Sequence, residues 1–68
     1  MELSARNQFP GRITAVRVEG LMAEITVDIG AGNTLVSVIT SGSAERLGLK
    51  EGDQVTAVIK ATEVLVAK

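Results

Sequence analysis

From Leu21 to Ile29 the chain alternates without a break. Leu21, Ala23, Ile25, Val27 and Ile29 fall on one set of positions, and Met22, Glu24, Thr26 and Asp28 on the other. A period of two puts each set on its own face of an extended strand, whereas a helix would scatter the first set around its circumference. Gly30-Ala31-Gly32-Asn33 follows at once. Gly and Asn accept the positive φ of a tight hairpin, so this stretch reads as a loop that returns the chain alongside itself. Thr34 to Thr40 is then the next strand. Arg12 to Val18 is the preceding one, joined through Glu19-Gly20.

The same punctuation continues along the chain. Gly11, Gly42, Gly48 and Gly52, with the single proline Pro10, bound short runs rich in Val, Ile, Thr and Ala. One segment breaks the pattern. Ser43 followed by Ala44-Glu45-Arg46-Leu47 suits an N-cap and one or two helical turns, with Gly48 at the C-terminal end. Leu49 to Asp53 is a turn, and Val55–Lys60 and Glu63–Ala67 read as the last two strands. The expected fold is therefore all-β: a small five-stranded OB-like barrel with one short helix between the third and fourth strands, in a single domain over residues 1–68.

A barrel of 68 residues has little to hold it together. Domains of about 60 residues bury only about 60% of the surface that the unfolded chain exposes, and they usually need a staple. There is no cysteine for disulfides, no histidine, and one aromatic residue, Phe9. Association with further copies is the staple that remains. The strands agree: Leu35 and Ile39 oppose Val36 and Val38, and Val55, Ala57 and Ile59 oppose Val58, so apolar residues occupy both faces. One face fills the barrel, and soluble monomers avoid exposing a second.

Composition removes several function classes. Ser4, Ser37, Ser41 and Ser43 have no histidine to activate them, and the eight carboxylates fall mostly at turns and outward strand positions. No catalytic residue is expected. One Phe and a net charge of −1 supply neither stacking platforms nor a positive groove for nucleic acid. No apolar run approaches the ~20 residues of a membrane span. The opening Met1 to Arg6 lacks the basic-then-apolar layout of a signal peptide. A cytoplasmic protein without nucleic-acid or membrane partners is expected.

Three segments share one chemistry. Ser4-Ala5-Arg6-Asn7-Gln8, Lys60-Ala61-Thr62 and Thr40-Ser41-Gly42-Ser43 all present donors: a guanidinium, an ammonium, hydroxyls, amides and the free N–H groups of a helix start. Donors without carboxylates suit a small anion.

The same segments carry a resemblance. The string Ser4 to Gln8 followed by Gly11, the stretch Val38 to Leu49, and Glu51-Gly52-Asp53 leading into Val55 to Val64 resemble the molbindin (Mop) family of small molybdate-binding proteins. Its domain, called TOBE or Mop, also occurs in a molybdate-responsive repressor and in molybdate-transporter ATPases. The likeness runs from Ser4 to Val66. It implies a homohexamer, a trimer of dimers, that holds molybdate or tungstate between subunits, with the metal bound only as its oxyanion. Carried over by motif, Ser4, Ala5 and Arg6 contribute from one subunit, chiefly through backbone N–H groups and the serine hydroxyl. Thr40 and Ser43 supply donors from a neighbour. Lys60 and Ala61 complete that site, Lys60 with compensating charge and Thr62 beside them. The implied function is cytoplasmic molybdate storage and homeostasis without catalysis. The alternative is an OB-like assembly or regulatory module that binds no ligand. Phe9-Pro10 departs from the family pattern, in which a less rigid pair precedes the glycine.

Overall fold

The computed structural model describes residues 4–68. Met1, Glu2 and Leu3, part of the opening read above as lacking a signal layout, lie outside the described residues. Four strands form one antiparallel sheet: β1 (Asn7–Glu19), β2 (Met22–Gly30), β3 (Asn33–Thr40) and β4 (Gln54–Ile59). A short helix α1 (Ser41–Arg46) separates β3 from β4, and a 3₁₀ turn (Ala61–Glu63) follows β4. Strand order is β3-β2-β1-β4, and the sheet curls into a half-barrel. No helix among the described residues is long and apolar enough to cross a membrane.

β1 is the spine, and it is longer than expected. It starts at Asn7 rather than Arg12, because Asn7 through Arg12 pair with Ile59 through Gln54. From Arg12 to Glu19 it pairs with Asp28 through Met22 of β2. Pro10 therefore lies inside a strand instead of ahead of it. It falls where β1 has a neighbour on one side only, the setting in which a strand tolerates a proline. Where the pairing changes partner, the register shifts between Ile13 and Ala15. That bulge turns the backbone of Ile13 toward the loop before β4: its N–H donates to Asp53 O at 2.9 Å and its carbonyl accepts from Gly52 N at 2.8 Å.

The central hairpin matches the expectation. Gly30 pairs with Asn33, and Ala31 (φ 53°) and Gly32 (φ 77°) give the two positive dihedrals of a type I′ turn. Along β2 the alternation becomes burial, with Ala23, Ile25 and Val27 in the core and Met22, Glu24 and Asp28 outside. Leu21 lies in the turn before β2 and is exposed.

The helix starts earlier than its serine suggested. The N-cap is Thr40, not Ser43: Thr40 is extended, and its Oγ1 accepts from Ser43 N at 3.1 Å. Ser43 thus occupies the third helical position, the amide that a capping hydroxyl reaches. At the other end Gly48 does close the helix. Its φ is 63°, its N–H donates to Glu45 O, and Leu49 N donates to Ala44 O at 3.0 Å, the paired bonds of a Schellman motif. The accompanying apolar contact is present, since Leu49 packs on the cluster that contains Ala44.

The expected fifth strand, Glu63–Ala67, is not formed. Ala61–Glu63 make the 3₁₀ turn, and Val64 onward runs without regular structure. A strand needs an edge to pair with, and within this one chain the tail meets none. The buried core is correspondingly small: Ile13, Ala23, Ile25, Val27 and Ala44, two of them alanines. An open apolar trough of about 380 Å³ lies where a closed barrel would be filled, between the edge strands β3 and β4.

Candidate functional site

The β1–β4 ladder ends at Asn7 opposite Ile59. Just beyond that pair lie the flanking segments Ser4–Arg6 and Lys60–Thr62, outside the strands, and these six residues line one open pocket of about 460 Å³. Two of the three donor segments, far apart in sequence, thus become neighbours through strand register alone.

The pocket is built from donors. The 3₁₀ turn's own bonds run from Glu63 N to Lys60 O (2.9 Å) and from Val64 N to Ala61 O (3.4 Å). The N–H groups of Ala61 and Thr62 stand ahead of those bonds, as the first amides of any helical turn do. Lys60 caps the turn through its extended backbone (φ −64°, ψ 137°) and makes no side-chain capping bond, so its ammonium is not committed there. On the opposite wall Gln8 Nε2 donates to Ala5 O at 2.8 Å. That bond occupies the acceptor of the Ala5 peptide and fixes the turn leading into β1. No carboxylate lines the pocket. Among the described residues the one ion pair joins Arg17 and Glu19 at 3.3 Å, so neither Arg6 nor Lys60 is spent on a described acid. Both cations are exposed at the pocket.

Thr40 and Ser43 lie elsewhere in the chain. Thr40 pairs with Met22, which pairs with Glu19 at the far end of β1 from Asn7. Their hydroxyls are engaged with each other, Thr40 Oγ1 donating to Ser43 Oγ at 2.8 Å, and Arg46 Nη2 approaches Ser43 Oγ at 3.5 Å. One chain brings six of the eight expected residues together and keeps these two apart.

A family model for the TOBE domain matches residues 3–66. The chain belongs to the TOBE-domain family. Its likeness to the Mop members of that family is close. Molybdenum-pterin-binding protein 1 of Clostridium pasteurianum is 42% identical over 66 residues, 97% of either chain. Among solved structures, a molybdate-binding protein from Sporomusa ovata superposes with a TM-score of 0.93 at 40% identity, covering 100% of both chains. The cytoplasmic molybdate-binding protein ModG matches with a TM-score of 0.85 at 36% identity, over 90% of this chain and 43% of that one. These relatives are named for binding rather than for a reaction.

In this TOBE chain one contributor escaped the list of expected site residues. Gln8 belongs to the donor string, but its part is to hold the Ala5 carbonyl rather than to face the pocket. The available signal was an amide side chain three residues after the peptide it braces.

Proposed function

We propose that this TOBE chain binds molybdate or tungstate, as the intact tetrahedral dianion, at sites between the subunits of a homo-oligomer. The observation that carries this reading is the donor-only pocket of Ser4–Arg6 and Lys60–Thr62, with two cations and no acid. Molybdate offers four oxygen acceptors and no proton at neutral pH, so donors hold it and a carboxylate would repel it. Sulfate has the same charge and shape but is smaller. Discrimination between them then rests on cavity size, which a rigid backbone frame sets better than mobile side chains.

An open pocket on one chain does not by itself surround a tetrahedral ion. In the proposed assembly, a homohexamer arranged as a trimer of dimers, Thr40 and Ser43 of a neighbour add donors from the side that one chain leaves open. The role is a reversible cytoplasmic store without catalysis, in keeping with relatives named as molybdate-binding and cytoplasmic. A ligand that binds only the assembled form stabilises it by about 2.7 kcal/mol at a hundredfold excess over Kd for one site.

Calorimetric titration with molybdate, repeated in excess sulfate, tests the reading. Saturable heat that survives sulfate is expected, with one ion per chain, since each chain supplies one pocket and one Thr40–Ser43 pair. Heat with neither anion would leave an assembly or regulatory module without a ligand.

A further inference from the structure

The pocket of Ser4–Arg6 and Lys60–Thr62 is short of acceptors. No carboxylate lines it, and three of its peptide carbonyls are already engaged. Lys60 O accepts from Glu63 N at 2.9 Å and Ala61 O from Val64 N at 3.4 Å, both within the 3₁₀ turn. Ala5 O accepts from Gln8 Nε2 at 2.8 Å. Of the three, only the Ala5 carbonyl is closed by a side chain. The turn's bonds come with its backbone, whereas a residue without a terminal amide at position 8 would leave Ala5 O open. Gln8 is exposed, stands on β1 opposite Val58 and does not line the pocket. It acts there through Ala5 rather than by touching what the pocket holds.

Tetrahedral oxyanions fall into two chemical classes at mildly alkaline pH. Molybdate, sulfate and chromate carry no proton and only accept. Phosphate and arsenate are dianions of the same shape that keep one O–H, so they also donate. An O–H enclosed without an acceptor costs the free energy of its lost hydration. We propose that Gln8 is a specificity-determining residue: by engaging the Ala5 carbonyl it denies the site an acceptor, and so turns away oxyanions that still carry a proton. The inference rests on the proposed binding of an oxyanion between subunits. Water accepts the proton in an open pocket, so the discrimination belongs to the closed site of the assembled form. A Ser4 or Thr62 hydroxyl that turned to accept would cease to donate, exchanging one loss for another. A carbonyl oxygen has two lone pairs, so a single bond weakens it as an acceptor without abolishing it, and the discrimination is graded. Size and protonation then act as separate filters. Sulfate fails the first, and phosphate fails both.

Arsenate and chromate are the matched probes. They are closer to molybdate in size than phosphate and sulfate are, and they differ from each other by one proton. Each competes against molybdate in calorimetry, at mildly alkaline pH and matched ionic strength. The unmodified chain is compared with Gln8→Leu, which keeps an apolar side chain and donates nothing. Against the unmodified chain, arsenate is expected to compete at least about tenfold more weakly than chromate, the cost of one unpaired O–H. In Gln8→Leu that ratio is expected to shrink by about threefold or more, while molybdate and chromate lose affinity together. A purely structural Gln8 would weaken all three anions by one factor, so an unchanged ratio overturns the proposal. So does arsenate that competes as well as chromate against the unmodified chain. Either result, with molybdate still bound, removes this inference alone. A chain that binds none of the three anions removes the oxyanion reading and this inference with it.

Discussion

Gly11 passes so close beneath Asp28 that a Cβ on the glycine would stand 2.5 Å from the Asp28 carbonyl oxygen and 2.7 Å from Val27 Cγ1. Backbone of one strand presses on backbone of the next at the point where β1 changes partner from β4 to β2. A carbonyl has no rotamer with which to move aside. Gly11→Ala is expected to lower stability by about 2 kcal/mol or more, read as a shift in the urea midpoint at fixed protein concentration. A midpoint equal to that of the unmodified chain would mean that the two strands do not approach this closely.

Thr40 is expected to matter twice. As the N-cap of α1 it accepts from Ser43 N, and its replacement by alanine leaves that amide without a side-chain acceptor. Thr40→Ala should cost about 1 kcal/mol, while Thr40→Ser retains the hydroxyl and most of the stability. If Thr40 also donates to the anion from a neighbouring subunit, Thr40→Ala weakens molybdate binding beyond what the stability change explains. Calorimetry well below the melting range separates the two effects.

Ala31 is the one non-glycine residue with positive φ among the described residues. An L-residue with a Cβ is strained there, and asparagine tolerates the conformation without the unfolded-state entropy that glycine adds. Ala31→Asn is expected to raise stability by up to about 1 kcal/mol. Thermal unfolding checks it, and a lower Tm would argue against the type I′ turn.

At the pocket, Lys60→Ala is expected to weaken molybdate binding about tenfold, the low end for a charge-assisted bond because the ammonium is exposed. Lys60→Arg should recover part of the loss through charge, and assembly should be unaffected by either change. Gln8→Ala frees the Ala5 carbonyl and loosens the turn, and a smaller loss of about threefold is expected. Titration of all three variants decides the assignment: unchanged affinity in Lys60→Ala removes the lysine from the site.

Local pattern was enough for the hairpins. The alternation from Leu21 to Ile29 identified the buried face of β2, and Gly30-Ala31-Gly32-Asn33 and Gly48 announced their turn and cap through the dihedrals that glycine permits. Long-range pairing stayed hidden. Pro10-Gly11 reads as a break, and only the partnership with β4 makes a strand of Asn7 to Arg12. Conversely, Glu63–Ala67 has the composition of a strand, but composition cannot supply the edge to which a strand bonds. Ser43 and Thr40 are both good caps, and the choice between them depended on where β3 releases the chain. The site followed the same division. Each donor string was legible by itself, while their meeting in one pocket is a property of the β1–β4 register.

That register has a consequence for the order in which the molecule comes together. β1 with β2 and β2 with β3 close over two-residue turns, a fast and local event. Asn7 and Ile59, in contrast, must find each other across almost the whole chain, and the entropy of closing so long a loop is repaid only once the rest of the sheet is in place. The pocket of Ser4–Arg6 and Lys60–Thr62, the proposed anion site, lies on the far side of that last closure. A chain still short of its final ladder has the residues but not the pocket, so an oxyanion held there would act as a latch on completed molecules and would leave unfinished ones untouched.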